Sequence, residues 1–111
     1  MDLANEINDK QKELNGSIHK LADNGKKYAE NYRNYRILLA KELLRLKADG
    51  MPATIAYDIA RGEEKVANAK YGELCTEAIY RANLEGIQAT KLQLKILENQ
   101  YDKEFFNVNN N

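Results

Sequence analysis

The chain has 111 residues, enough for one domain or one long supersecondary unit and too few for two independent cores. Seventeen Lys and Arg balance seventeen Asp and Glu, so net charge exerts no bulk pull toward nucleic acid or lipid. One proline and six glycines are too few for an all-β chain, while one cysteine and one histidine exclude a disulfide framework and a multi-thiolate metal site.

The opening Met-Asp-Leu-Ala-Asn-Glu has no basic region running into an apolar stretch, so no secretion signal is expected. From Leu3 to Ala48 there is no proline, and Leu14, Ile18, Leu21, Gly25, Tyr28, Tyr32, Tyr35, Leu39 and Leu43 recur at spacings of three and four. That is a heptad seam, so one long helix is predicted over about 3–48, with Asp2 as its cap and Asp49-Gly50 as its stop. Gly50-Met-Pro52 breaks the pattern. A short helix then follows over about 52–61, with Ile55 and Ile59 on its inward face. Glu63-Glu64 suits the positive end of a helix dipole and opens a second long helix, about 63–106, before a polar tail at 107–111 that is expected to fray.

Two rods of similar length joined by a compact connection predict an all-α fold: an antiparallel long-helix hairpin, one domain over 1–106, with a short helix at the turn. In a symmetric hairpin, partner positions sum to about 110. Gly25 then lies beside Gly86, with Tyr28 and Tyr35 near Ala82 and Cys75, so that large side chains meet small ones. The basic stretch 26–47 would face Glu63, Glu64, Glu73, Glu77 and Glu85.

The second long helix carries two apolar stripes. One runs through Tyr71, Cys75, Ala78, Ala82, Ala89, Leu92 and Ile96 and is assigned to the hairpin seam. The other runs through Tyr80, Leu84, Ile87, Leu94, Leu97, Tyr101 and Phe105. Leu92 and Leu94 point roughly 160° apart, so one neighbouring helix cannot cover both stripes. The second stripe is therefore expected to form a homo-oligomer interface, giving a helical bundle. The alternative is a monomer that folds back at Gly25 and Gly86.

The most distinctive segment is Lys26-Lys27-Tyr28-Ala-Glu-Asn-Tyr32-Arg33-Asn-Tyr35-Arg36. Cations interleaved with tyrosines can stack rings and neutralise phosphates, which makes nucleic-acid or nucleotide binding by 26–47 one reading. The plainer reading places the tyrosines in the seam, their hydroxyls satisfied by Asn31, Arg33, Asn34 and Arg36. A partner-binding surface would combine Lys26, Lys27, Tyr28, Tyr32, Arg33, Tyr35 and Arg36 with Met51 and Tyr57 at the turn.

A helix-turn-helix around 39–63 is disfavoured because its recognition helix would open on Glu63-Glu64, which phosphates repel. His19 and Cys75 lie far apart in the hairpin register. No acid cluster has a histidine at metal-site spacing, and no phosphate-binding glycine loop appears. The expectation is thus a non-enzymatic protein with no cofactor or metal, no membrane span, and a cytoplasmic location.

Asn34-Tyr-Arg-Ile-Leu-Leu-Ala-Lys41, Gly50-Met-Pro-Ala-Thr54 and Lys91-Leu-Gln-Leu-Lys-Ile-Leu-Glu-Asn-Gln100 together resemble short uncharacterised helical proteins of phages and prophages of Gram-positive bacteria. The likeness covers the chain from about Tyr28 to Tyr101. It implies a phage accessory protein in the host cytoplasm that binds a host or phage protein, for host takeover, defence evasion, or replication and recombination. A structural or scaffold oligomer is the third class.

Overall fold

Asp2 starts the first helix: its Oδ1 accepts a hydrogen bond from the Ala4 N–H at 3.0 Å, and its carbonyl accepts from the Glu6 N–H. In the computed structural model, which describes residues 2–110 with the side chains of 108–110 excepted, α1 spans Leu3–Ala48. Its end is a Schellman motif. Gly50 takes the left-handed conformation (φ +89°), its N–H donating to Lys47 O at 3.0 Å while the Met51 N–H donates to Leu46 O at 3.1 Å. Met51 then packs against the cluster that contains Leu46, the apolar contact that accompanies this motif.

Pro52 leads into α2 (Ala53–Gly62), its carbonyl accepting from the Ala56 N–H. Glu63 leaves helical geometry and caps the last helix, α3 (Glu64–Asn110): its side chain accepts from the Val66 N–H at 3.1 Å and its carbonyl from the Ala67 N–H. The fold is all-α, two long helices packed antiparallel with a short helix between them. The polar end, expected to fray from 107, is helical to Asn110. Residue 111 lies outside the described residues.

Contacts divide the chain into two units. Asp23–Tyr80 forms a three-helix unit. Its core joins Tyr35, Leu39 and Leu46 of α1, Ala56 and Ala60 of α2, and Val66 of α3, with Leu38, Leu43, Met51 and Ala69 packed around them. Between α1 and α3, the Asn31 amide donates to Gly72 O and to Thr76 Oγ1, both at 3.3 Å. Glu73 is buried, its carboxylate receiving Lys70 Nζ at 3.0 Å.

The other unit pairs Met1–Ala22 with Arg81–Asn111. Here two helices must cover one another alone, and among its described residues only Ile87 and Thr90 are buried. Asn83 Nδ2 bridges to Ser17 O at 3.0 Å, and the Thr90 hydroxyl donates to Gly86 O. Leu3, Ile7, Leu14 and Leu21 reach half burial along the α1 side.

Several expected faces are reversed. Ile55 and Ile59 are 53% and 46% exposed, while Ala56 and Ala60 are fully buried, because a short helix laid close against two others needs methyl groups at its contact. The two stripes of α3 also exchange roles. In the three-helix unit Tyr80 turns toward α1, whereas Tyr71 (71% exposed) and Leu74 face solvent. In the two-helix unit Ile87 is buried, at 5% exposure, and Leu94 and Leu97 are half-buried, whereas Leu92 (61%) and Ile96 are exposed. Tyr80, Ile87, Leu94 and Leu97 are therefore covered within the chain rather than offered to another copy. Leu84, Tyr101 and Phe105 of that stripe remain exposed, the last two rings stacking at 6.5 Å.

The cause is visible at Gly25. A Cβ there would stand 3.1 Å from Tyr80 Cε1, so the small residue of the pair is on α1 and the large one on α3. Gly25 accordingly faces Tyr80 and not Gly86, and Tyr28 lies against Tyr80 rather than Ala82. The ion pairs Lys10–Glu13, Glu42–Arg45, Arg45–Asp49 and Lys70–Glu73 each join residues three or four apart in the chain. In each unit an amide, Asn31 or Asn83, bridges the long helices.

The alanine contact predicts opposite outcomes at neighbouring positions. Ala60→Leu should lower stability in urea by about 1–3 kcal/mol through overpacking, and Ile55→Ala by less than about 1 kcal/mol. The reverse ranking would restore an isoleucine-inward α2.

Candidate functional site

Three tyrosines of the three-helix unit each carry a cation on the ring. Arg36 sits 5.8 Å from the Tyr32 centroid, with Nη1 donating to the Tyr32 hydroxyl at 3.0 Å. Arg61 sits 5.2 Å from the Tyr57 centroid, and Lys70 Nζ 4.8 Å from that of Tyr35. In the first two cases the mechanism is local: tyrosine and arginine four residues apart share one face of a helix. Lys70 reaches Tyr35 from α3.

These pairs surround one cleft. A polar recess of about 640 Å³ is lined by Tyr35, Tyr57, Asp58, Arg61 and Lys70. An adjoining recess of about 470 Å³ shares Tyr35, Tyr57 and Lys70 and adds Tyr32 and Arg36 above an apolar floor of Leu39, Ala40 and Leu43. All three helices contribute, so the cleft exists only because α2 docks on the long pair.

Its charge is partly spent internally. The hydrogen bond from Lys70 to the buried Glu73 carboxylate, with the attraction of that carboxylate, raises the Lys70 pKa above lysine's ordinary 10.5 and keeps it an ammonium. Arg36 and Arg61, by contrast, have no carboxylate partner among the described residues. Asp58 is the acid lining the recess.

Of the residues expected to bind a partner, the structure brings Tyr32, Tyr35, Arg36 and Tyr57 together. Lys26, Lys27 and Arg33 are exposed on α1 and do not line the cleft. Tyr28 packs against Tyr80 with centroids 6.1 Å apart, and Met51 is half-buried against the core cluster. Arg61, Asp58 and Lys70 were not among the expected residues. The signal for Arg61 is present in the sequence, since Tyr57–Arg61 repeats the Tyr32–Arg36 spacing.

Elsewhere the chemistry is sparse. The two-helix unit has a recess of about 550 Å³ lined by Glu6, Asp9, Lys10, Glu13, Gln93, Ile96 and Leu97, with Lys10 paired to Glu13. Among the described residues no group of three His, Cys, Asp or Glu side chains is placed to hold a metal ion. His19 is exposed. Cys75 is half-buried beside Tyr71, and a hydrogen bond to Cys75 pushes that phenol above its usual range. Among the described residues no helix is long and apolar enough to cross a membrane. No protein-family model, curated protein or solved structure matches the chain.

Lys70→Gln should strand the Glu73 carboxylate and lower stability at neutral pH by about 1 kcal/mol, a value discounted for the partly exposed ammonium. Because the folded pKa of Lys70 is raised, the pair's stabilisation is fully present below lysine's ordinary value and is lost as pH rises through the folded one. The gap between wild type and variant in urea should therefore persist from neutral pH up to lysine's ordinary value and close as pH rises through the folded one. A gap that had already closed in mild alkali, below lysine's ordinary value, would contradict this assignment.

Proposed function

We propose that the chain is a non-enzymatic binding protein that engages another protein at the cleft of its three-helix unit. The observation that carries this reading is the cleft's makeup: half-exposed Tyr32 and Tyr57, each bearing an arginine on its face. Tyrosine and arginine dominate the few positions that supply most binding energy at protein interfaces. A ring with two side-chain torsions loses little freedom on docking, and an arginine laid on that ring is already oriented.

The same groups are poorly suited to catalysis. A lysine nucleophile needs a lowered pKa, and Lys70 has a raised one. The cleft lining offers no histidine, cysteine or serine. In the setting implied by the resemblance to phage and prophage proteins, the partner is a host or phage protein met in the host cytoplasm. Self-association belongs to the same proposal. Tyr71 and Leu74 in one unit, and Leu92 and Ile96 in the other, are among the large apolar residues open to a second copy, as are Leu84, Tyr101 and Phe105 of the stripe expected to form the interface.

The test is capture from bacterial lysate on immobilised wild type and on the Arg36→Ala, Tyr57→Ala double variant, both checked for helicity. A protein retained by the wild type, lost by the variant and indifferent to nuclease is expected. Nuclease-sensitive capture that weakens steeply with salt would favour a nucleic-acid ligand instead. Light scattering on the same preparations should show more than a monomer at micromolar concentration, and a monomer would remove the self-association component.

A further inference from the structure

We infer that the cleft selects an amphipathic acidic segment of its partner. One apolar side chain rests on Leu39, Ala40 and Leu43, and acidic side chains are held by Arg36 in one recess and Arg61 in the other. This rests on the partner-docking reading and names the chemistry that the dock accepts.

The two recesses differ in kind. The one above Leu39, Ala40 and Leu43 has an apolar floor and an arginine at its edge. The other is lined by Arg61, Asp58 and Lys70. A ligand filling both must offer hydrocarbon to one and anionic oxygen to both. Arg36 and Arg61 are the groups available for it, because Lys70 is already neutralised by Glu73. Each guanidinium carbon lies over a tyrosine ring, at 5.8 Å for Arg36 and 5.2 Å for Arg61; Arg36 uses one Nη1–H on the Tyr32 hydroxyl, and the remaining N–H groups of both arginines can donate to a carboxylate.

Charge arithmetic sets the limit on the ligand. Two unpaired guanidiniums against Asp58 leave about one spare positive charge, a match for carboxylates spaced along a chain. A nucleic-acid backbone requires a run of cations, and Lys26, Lys27 and Arg33 stand outside the lining. A small-molecule site buries about 70–90% of its ligand, yet Tyr32, Arg36, Tyr57 and Arg61 are all exposed at the cleft. A trough of that kind takes a length of polypeptide.

The experiment is fluorescence anisotropy of the full chain with a fluorescein-labelled peptide of repeating Leu-Glu-Glu. The matching Leu-Gln-Gln repeat, polyglutamate and oligothymidylate serve as comparison probes. The Leu-Glu-Glu peptide should bind, and the other three should bind much more weakly. Arg61→Gln should weaken the peptide about tenfold by removing a charged hydrogen bond. Asp58→Asn should tighten it, an effect that a merely structural role would not produce; both positions are exposed on α2, and circular dichroism checks each fold. Equal binding of the Leu-Gln-Gln repeat, still sensitive to Arg61→Gln or Tyr57→Ala, would overturn acidic selection and leave the docking reading intact. Failure of every probe would likewise overturn the acidic segment alone. Preference for oligothymidylate, or peptide binding indifferent to all cleft substitutions, would overturn both.

Discussion

Everything distinctive about the three-helix unit depends on how closely α2 approaches the long helices. Ala56 and Ala60, one turn apart, are fully buried against a cluster drawn from α1 and α3. Methyl groups at the contact let the backbone of α2 come near enough to shield Val66 and Leu46. That approach has a second result. It swings Tyr57 and Arg61 to the side where Tyr35 and Lys70 already meet, and a cleft forms that neither long helix makes alone.

The contrast between the two units shows what a third helix supplies. Where α2 is present, six side chains form a buried cluster. Where α1 and α3 have only each other, burial falls to Ile87 and Thr90 among the described residues, and the Asn83 amide bonds one helix to the other. Two helices expose too much of their circumference to exclude water from more than a narrow seam. Tyrosine and arginine chemistry gathers in the unit that has a rigid core beneath it, as a preorganised binding surface requires.

Helix positions were largely legible in the sequence, because their signals are local. Asp2 caps α1, Gly50 and Pro52 stop and restart the chain, and Glu63 caps α3, each at or within a residue of its expected place. The seam of α1 was legible through Leu14, Leu21, Tyr28, Tyr35, Leu39 and Leu43, but the faces of α2 and α3 were not, because they depend on distance between helices. Hydrophobicity favours Ile55 and Ile59 as the inner face of α2, yet close packing selects Ala56 and Ala60. Periodicity reveals two stripes on α3 but does not rank them. The deciding residue is Gly25, whose missing side chain makes room for Tyr80. Tyr32, Tyr35 and Arg36 were readable as candidates from the interleaving of cations and rings, and Tyr57 from its place at the turn. Arg61 becomes a neighbour of that group only through the docking of α2, and Lys70 through the packing of α3 against Tyr35.

The most direct measurement of that docking is native-state hydrogen exchange resolved along the chain. A short helix without tertiary support is marginal in water and exchanges at nearly the rate of a free peptide. If α2 is locked through Ala56 and Ala60, its amides from Ala56 to Gly62 should be protected to the same degree as those of α1 from Tyr35 to Leu46. Rapid exchange confined to α2, with α1 still protected, would contradict the packed third helix and remove the cleft built upon it.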